Sequence, residues 1–120
     1  FRPDPQGPAL AVEFRLAGQP YMALNGNPSP RPDPTVSISV LTAEQSETDD
    51  LWRRLCADGG VPLACGWLQD RFGVHWQIVP EALPRLMGSG DPAAAARVQQ
   101  ALMGMQKIEI AALQSAHDGA

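Results

Sequence analysis

The chain has 120 residues, 44% hydrophobic and 18% charged, with a net charge of −4. That length and apolar content suit one globular domain and exclude a disordered chain. The acidic balance lacks the basic patch that nucleic-acid binding needs, and no apolar run approaches the roughly 20 residues of a membrane span.

Residues 1–8 are rich in Pro, Gly and Asp and read as irregular. They carry no signal-peptide pattern, so a cytoplasmic location is expected. From Ala9 the pattern alternates. Leu10, Val12, Phe14 and Leu16 share one face, with Glu13 and Arg15 on the other, as in a half-buried strand. Residues 17–20 turn the chain. Residues 21–25 form a second strand, Met22 and Leu24 facing one way and Tyr21, Ala23 and Asn25 the other. A proline-rich linker covers 26–34.

Residues 35–41 alternate again, with Val36, Ile38 and Val40 opposite Thr35, Ser37 and Ser39. A helix is expected over 46–58. Ser46 is its candidate N-cap, acidic residues fill its first turn, and Gly59-Gly60 end it. Its apolar stripe is Thr48, Leu51, Trp52, Leu55 and Cys56.

Residues 65–80 read as a β-hairpin. Two apolar runs flank Gln69-Asp70-Arg71-Phe72-Gly73, where Asp and Gly suit a tight reversal. In the second run Val74, Trp76 and Ile78 face a packed helix, while His75, Gln77 and Val79 face the other side. Pro80 ends the strand. A short helix is expected over 81–87. Another follows to about residue 106, with Asp91 as N-cap and Pro92 in its first turn. Residues 107–110 read as extended, before a last helical turn over 111–116.

Cys56 and Cys65 make neither a disulfide framework nor a zinc site; buried thiols in a cytosolic protein are expected. No Ser-His-Asp signature is legible, since Ser46 and Ser89 have capping or turn explanations. Asp49 and Asp50 are helix-start charges. Cys65 and His75 lie in one hairpin, but an inert, buried Cys65 is the expected state.

Three stretches carry a resemblance: Tyr-Met-Ala-Leu-Asn-Gly at 21–26, the long hairpin motif at 65–80, and Ala-Ala-Arg-Val-Gln-Gln-Ala-Leu-Met-Gly-Met at 95–105. They resemble the PhnB-like branch of the vicinal-oxygen-chelate, or glyoxalase/bleomycin-resistance, superfamily. That branch often carries the label 3-demethylubiquinone-9 3-methyltransferase. The methyltransferase label has no chemical support here, because no Gly-rich strand-to-helix turn for S-adenosylmethionine is present. The resemblance implies an α+β fold of β-α-β-β-β modules: a mixed curved sheet with helices outside and a helical C-terminal extension. Residues 1–34 would be the remnant of a first module plus linker, 35–80 the second module, and 81–120 the extension, all in one structural domain. The opening strand, helix and second strand of the first module would precede this sequence. A bare sheet edge would then invite a second chain, and a homodimer is expected.

In metal-using members the ligands are His or Glu on the first and last strands of each module. The matching positions here are Thr35 and Gln77, with Ala23 or Asn25 in the first module. These are poor ligands for a divalent ion, so no metal and no cofactor is expected. The same resemblance places Val36, Ile38, Val40, Met22, Leu24, Trp76 and Ile78 under helices. The hollow would be lined by Glu13, Tyr21, Asn25, Ser37, Ser39, Trp67, His75 and Gln77, an aromatic and hydrogen-bonding set suited to a small organic molecule. The plain alternative for His75 is a partly exposed strand histidine, and for the serines simple surface. Three functions stay open. One is metal-free small-molecule binding. Another is a metal-dependent enzyme acting on a small oxygenated substrate through His75 and residues outside this sequence. The third is a structural homodimer without ligand.

Overall fold

A computed structural model describes residues 6–26 and 30–120. Parts of the expected irregular start and of the linker, residues 1–5 and 27–29, lie outside them. The chain divides into two compact units, residues 1–31 and 32–120.

In the first unit, β1 (Ala11–Leu16) and β2 (Gln19–Leu24) form an antiparallel hairpin. Ala17 and Gly18 both take positive φ, 50° and 80°, the twist that a two-residue hairpin turn requires. Arg15 Nη1 donates to the Gly18 carbonyl at 2.7 Å and clamps the turn. The register pairs Phe14 with Tyr21 and Glu13 with Met22. Phe14 and Tyr21 stack with ring centroids 5.7 Å apart. Met22 and Leu24, expected under a helix, are 63% and 69% exposed. Alternation here does mark a strand, but among the described residues of this unit no layer covers that face.

The second unit holds a four-stranded mixed sheet in the order β3-β6-β5-β4. β3 is Ser37–Thr42, β4 Val61–Pro62, β5 Trp67–Gln69 and β6 His75–Pro80. β3 and β6 run parallel, while the pairs β6–β5 and β5–β4 are antiparallel. A parallel neighbour needs a crossover, and helix α1 (Gln45–Leu55) with β4 and β5 supplies it. Together β3, α1, β4, β5 and β6 are the expected β-α-β-β-β module.

α1 lies over the face of β3 and β6 that carries Ile38, Val40, Trp76 and Ile78. Thr42 and Thr48 share a buried hydrogen bond of 2.6 Å between strand and helix. Leu68 and Ile78 are fully buried. Val36 is 77% exposed, because β3 begins only at Ser37. The helix starts a residue before the expected N-cap: Glu44 occupies that position, and Ser46 gives its hydroxyl to Glu44 Oε1 at 3.0 Å. It stops at Leu55 rather than Asp58, where Asp58 and Gly59 turn to positive φ.

Asp70 organises the hairpin turn. Its Oδ1 accepts from Phe72 N at 2.9 Å and Val74 N at 3.0 Å, and its Oδ2 from Trp76 Nε1 at 2.9 Å. One carboxylate thus satisfies two turn amides and an indole that would otherwise be stranded in packing.

The C-terminal part is helical: α2 (Ala82–Met87), α3 (Pro92–Met103) and α4 (Ile110–Asp118). Asp91 caps α3 as expected, accepting from Ala93 N and Ala94 N. α3 ends three residues earlier than its apolar pattern suggested, and α4 is longer than one turn. Leu86, Val98, Leu102, Ile108 and Leu113 form a buried cluster, with Cys65 and Met105 against it. Residues 107–110 form no strand. The chain before them docks instead: Cys65 N donates to Met105 O and Gly66 N to Gln106 O, each at 2.8 Å. A Cβ on Gly66 would stand 2.7 Å from Ile108 Cδ1 and 3.0 Å from Ile78 O. Only glycine permits that approach at its φ of +83°.

Candidate functional site

The sheet face opposite α1 carries the polar strand positions of the second unit. Register builds them into two rows. Ser37, His75 and Gln69 lie side by side across β3, β6 and β5; Ser39, Gln77 and Trp67 form the next row. Gln77 Nε2 donates to Ser37 Oγ at 2.8 Å, bridging the rows. Trp67 is half-buried directly opposite Gln77, and Ser39 is exposed.

His75 is only 8% exposed, so it is not the partly exposed strand histidine of the plain alternative. Its Nδ1 is buried and has no hydrogen-bond partner. An unpaired polar atom in that position costs about 1–3 kcal/mol, and such exceptions are uncommon in folded proteins. The segment before β3 lies close to this region. A Cβ on Gly73 would meet Pro32 Cγ at 3.4 Å. The hydroxyl and backbone N–H of Thr35 both donate to Asp33. Those hydrogen bonds, with a smaller contribution from nearby His75, hold the Asp33 carboxyl below its usual range.

Five of the eight expected lining residues, Ser37, Ser39, Trp67, His75 and Gln77, therefore share one face. The other three belong to the β1–β2 unit and do not act as one set there. Glu13 shares its face with Met22; Tyr21 lies on the opposite face with Phe14, and on that side its ring is stacked. Asn25 spends its polar groups on the backbone, N to Leu10 O at 2.7 Å and Nδ2 to Ala9 O at 3.4 Å. A cleft of about 390 Å³ is lined by Glu13, Phe14, Arg15, Pro20, Tyr21 and Met22.

Gln69 was missed as a member of the polar rows. It was assigned to the turn, because local sequence does not show that β5 continues through it; counting two residues on from Trp67 would have placed it. Cys65 and His75 are not brought together. Cys65 precedes β5 and packs on the C-terminal cluster, while His75 pairs with Gln69. The other thiol, Cys56, is half-buried, and burial pushes it above its usual range.

Beside Gln77 in register is Ser39, and the Gln77 amide bonds Ser37; Thr35 lies before β3 and bonds Asp33. An amide and a hydroxyl, both neutral and bonded to each other, do not fit a divalent ion. Among the described residues no three of His, Cys, Asp and Glu gather closely enough to hold a metal. A second cleft, of about 630 Å³, opens where α1, α2 and α4 begin, beside Glu44, Gln45, Glu81, Arg85, Glu109 and Ile110. It shares no residue with the polar face. The polar face is the better candidate, because among the described residues it alone holds a buried side-chain polar atom left unpaired.

Known proteins agree with this architecture. The PhnB protein from Bacillus cereus, a candidate 3-demethylubiquinone-9 3-methyltransferase, matches with a TM-score of 0.59 and 28% identity. The match covers 67% of this chain and 74% of that one. Protein PA1353 from Pseudomonas aeruginosa matches in fold, with a TM-score of 0.52 and 23% identity over 65% of this chain and 71% of its own. No curated protein matches the chain. The 3-demethylubiquinone-9 3-methyltransferase family matches residues 1–79, the hairpin unit and the whole β3–β6 sheet but one residue. The chain therefore belongs to that PhnB-like family.

Proposed function

We propose that this protein binds a small organic molecule, without a metal ion, on the polar face of β3, β6 and β5. The observation that carries the reading is the buried, unpaired Nδ1 of His75 next to the Gln77–Ser37 pair. A ligand with a hydrogen-bonding group would satisfy that nitrogen and recover the free energy lost by leaving it unpaired. Trp67 offers a flat apolar surface in the adjoining row, and Ser39 and Gln77 offer polar contacts.

The family's methyltransferase label is not carried over as an activity. The turn from β3 to α1 is Ala43-Glu44, with no glycine to admit a cofactor against the backbone. Two unpaired cysteines fit a reducing, cytoplasmic setting. No helix of the described residues is long and apolar enough to cross a membrane.

A thermal-shift screen of small phenols, quinones and phosphonates tests the binding. A ligand at 100 times its Kd adds about 2.7 kcal/mol of stability. The shift given by a hit is expected to shrink or vanish in Gln77→Ala and His75→Ala. No shift with any of the three classes, or equal shifts in both variants, would count against the site.

The working unit is proposed to be a homodimer. A lone two-stranded hairpin with apolar residues exposed on both faces is only marginally stable, and a second chain would cover it. Light scattering is expected to give twice the monomer mass at micromolar concentration; a monomer throughout would refute this.

A further inference from the structure

Ser89 stands between two glycines, Gly88 and Gly90, in the connection from α2 to α3. Its Oγ lies 3.0 Å from His117 Nε2. On the other side of the ring, His117 Nδ1 lies 3.2 Å from Asp118 Oδ1. A hydroxyl is activated by this order of contacts. One ring nitrogen takes the proton, and a carboxylate on the other holds the tautomer and steadies the imidazolium.

The three residues come from well-anchored pieces. Asp91 caps α3 just beyond the Ser89 turn. Arg97 of α3 donates through Nε to Ala116 O at 2.8 Å and through Nη2 to His117 O at 2.6 Å, tying the last turn of α4 to α3. Gln114 Nε2 gives Asp118 Oδ1 a second donor at 3.1 Å. His117 is in the final turn of α4. The backbone N–H groups of Ser89 and Gly90 make no hydrogen bond among the described residues, so both are open to a developing oxyanion. Beyond Gly90 and its two chain neighbours, no atom lies within 4 Å of where a Cβ on Gly90 would stand. None of these residues belongs to the sheet face.

We propose that Ser89, served by His117 and Asp118, is a nucleophilic site that accepts the acyl group of small, uncharged, activated esters. Ser89 Oγ bonds to the acyl carbon while its proton passes to His117 Nε2. The ester C–O bond breaks, and the departing alcohol or phenol takes that proton, leaving acyl-Ser89. Water then attacks the acyl carbon, His117 receives and returns its proton, and the carboxylic acid leaves with Ser89 restored.

The test treats the full chain with p-nitrophenyl acetate, follows p-nitrophenolate release, and maps the acetyl group by peptide mass spectrometry. Acetyl on Ser89 is expected, absent in Ser89→Ala and formed about 100-fold more slowly in His117→Gln. Acetylation confined to lysine or the chain's amino terminus would overturn the proposal. So would His117→Gln acetylating Ser89 at the unsubstituted rate. Labelling of the unsubstituted protein by a fluorophosphonate is independent of any variant's folding: an adduct on Ser89 supports the site, and none there refutes it.

Discussion

β2 and β6 carry the same signal and end in different surroundings. Both are six-residue strands that alternate in side-chain character. Every residue of β2 is exposed, whereas His75, Ile78 and Pro80 of β6 are buried. β6 lies between β3 and β5 and is packed by α1; among the described residues β2 pairs with β1 alone. Alternation states which side chains share a face. Neighbouring strands and a covering layer decide whether that face leaves water.

Substitutions at matched positions sharpen that contrast. Ile78→Ala, in the fully buried centre of β6, is expected to lower stability by about 2–5 kcal/mol in urea unfolding. Met22→Ala, exposed in the single chain, is expected to stay within about 0.5 kcal/mol where the chain is monomeric and to cost more at concentrations where the proposed homodimer covers the hairpin. Equal losses would mean that the hairpin face is covered in solution, as dimerisation would do.

A smaller effect is expected where sheet and helical extension meet. Gly66→Ala forces a Cβ against Ile108 and the Ile78 carbonyl at a left-handed φ, which costs about 1–3 kcal/mol. Ala in place of Gly18 takes a positive φ in the hairpin turn but meets no atom within 4 Å. Its loss of melting temperature should be the lesser of the two.

The least effect is electrostatic. Lys107 Nζ lies 2.7 Å from Asp49 Oδ1. The hydrogen bond from Lys107, then that from Gln45, holds the Asp49 carboxyl below its ordinary 3.8, and the same pairing raises Lys107 above 10.5. A lowered carboxyl pKa stabilises the fold above pH 3.8, and that stability is lost as pH falls through the folded value. A raised lysine pKa stabilises below 10.5, lost as pH rises through its folded value. Lys107→Met should therefore melt slightly earlier than the unsubstituted chain between those limits, with the two curves converging outside them. A constant gap at every pH would show that the lysine acts by packing alone.

Much of the fold is legible from local pattern. The strands at 11–16 and 75–80, the Asp91 cap and the reversal at Asp70-Gly73 all follow from alternation and turn chemistry. The misses share a cause. Ser46 looked like a cap because its type suits the role, yet the chain enters α1 from β3 two residues earlier, at Glu44. Residues 107–110 looked extended, yet their neighbours Met105 and Gln106 give their carbonyls to Cys65 and Gly66, 40 residues away in sequence. Of the candidate residues, Ser37, Ser39, Trp67, His75 and Gln77 share one face. The burial of His75, and the hydrogen bond from Gln77 to Ser37, depend on the parallel register of β3 with β6. Ser89, His117 and Asp118 had no motif spacing to reveal them, since α3 intervenes between the serine and its partners.

By itself the sequence determined what short-range forces decide: period, turn type, cap chemistry and the neutral character of the strand positions that face away from α1. Only the tertiary structure decided which nitrogen would lie buried without a partner, which serine would meet a histidine, and which apolar strand would remain in water. Those outcomes depend on contacts between distant segments, whose geometry no window of neighbouring residues contains.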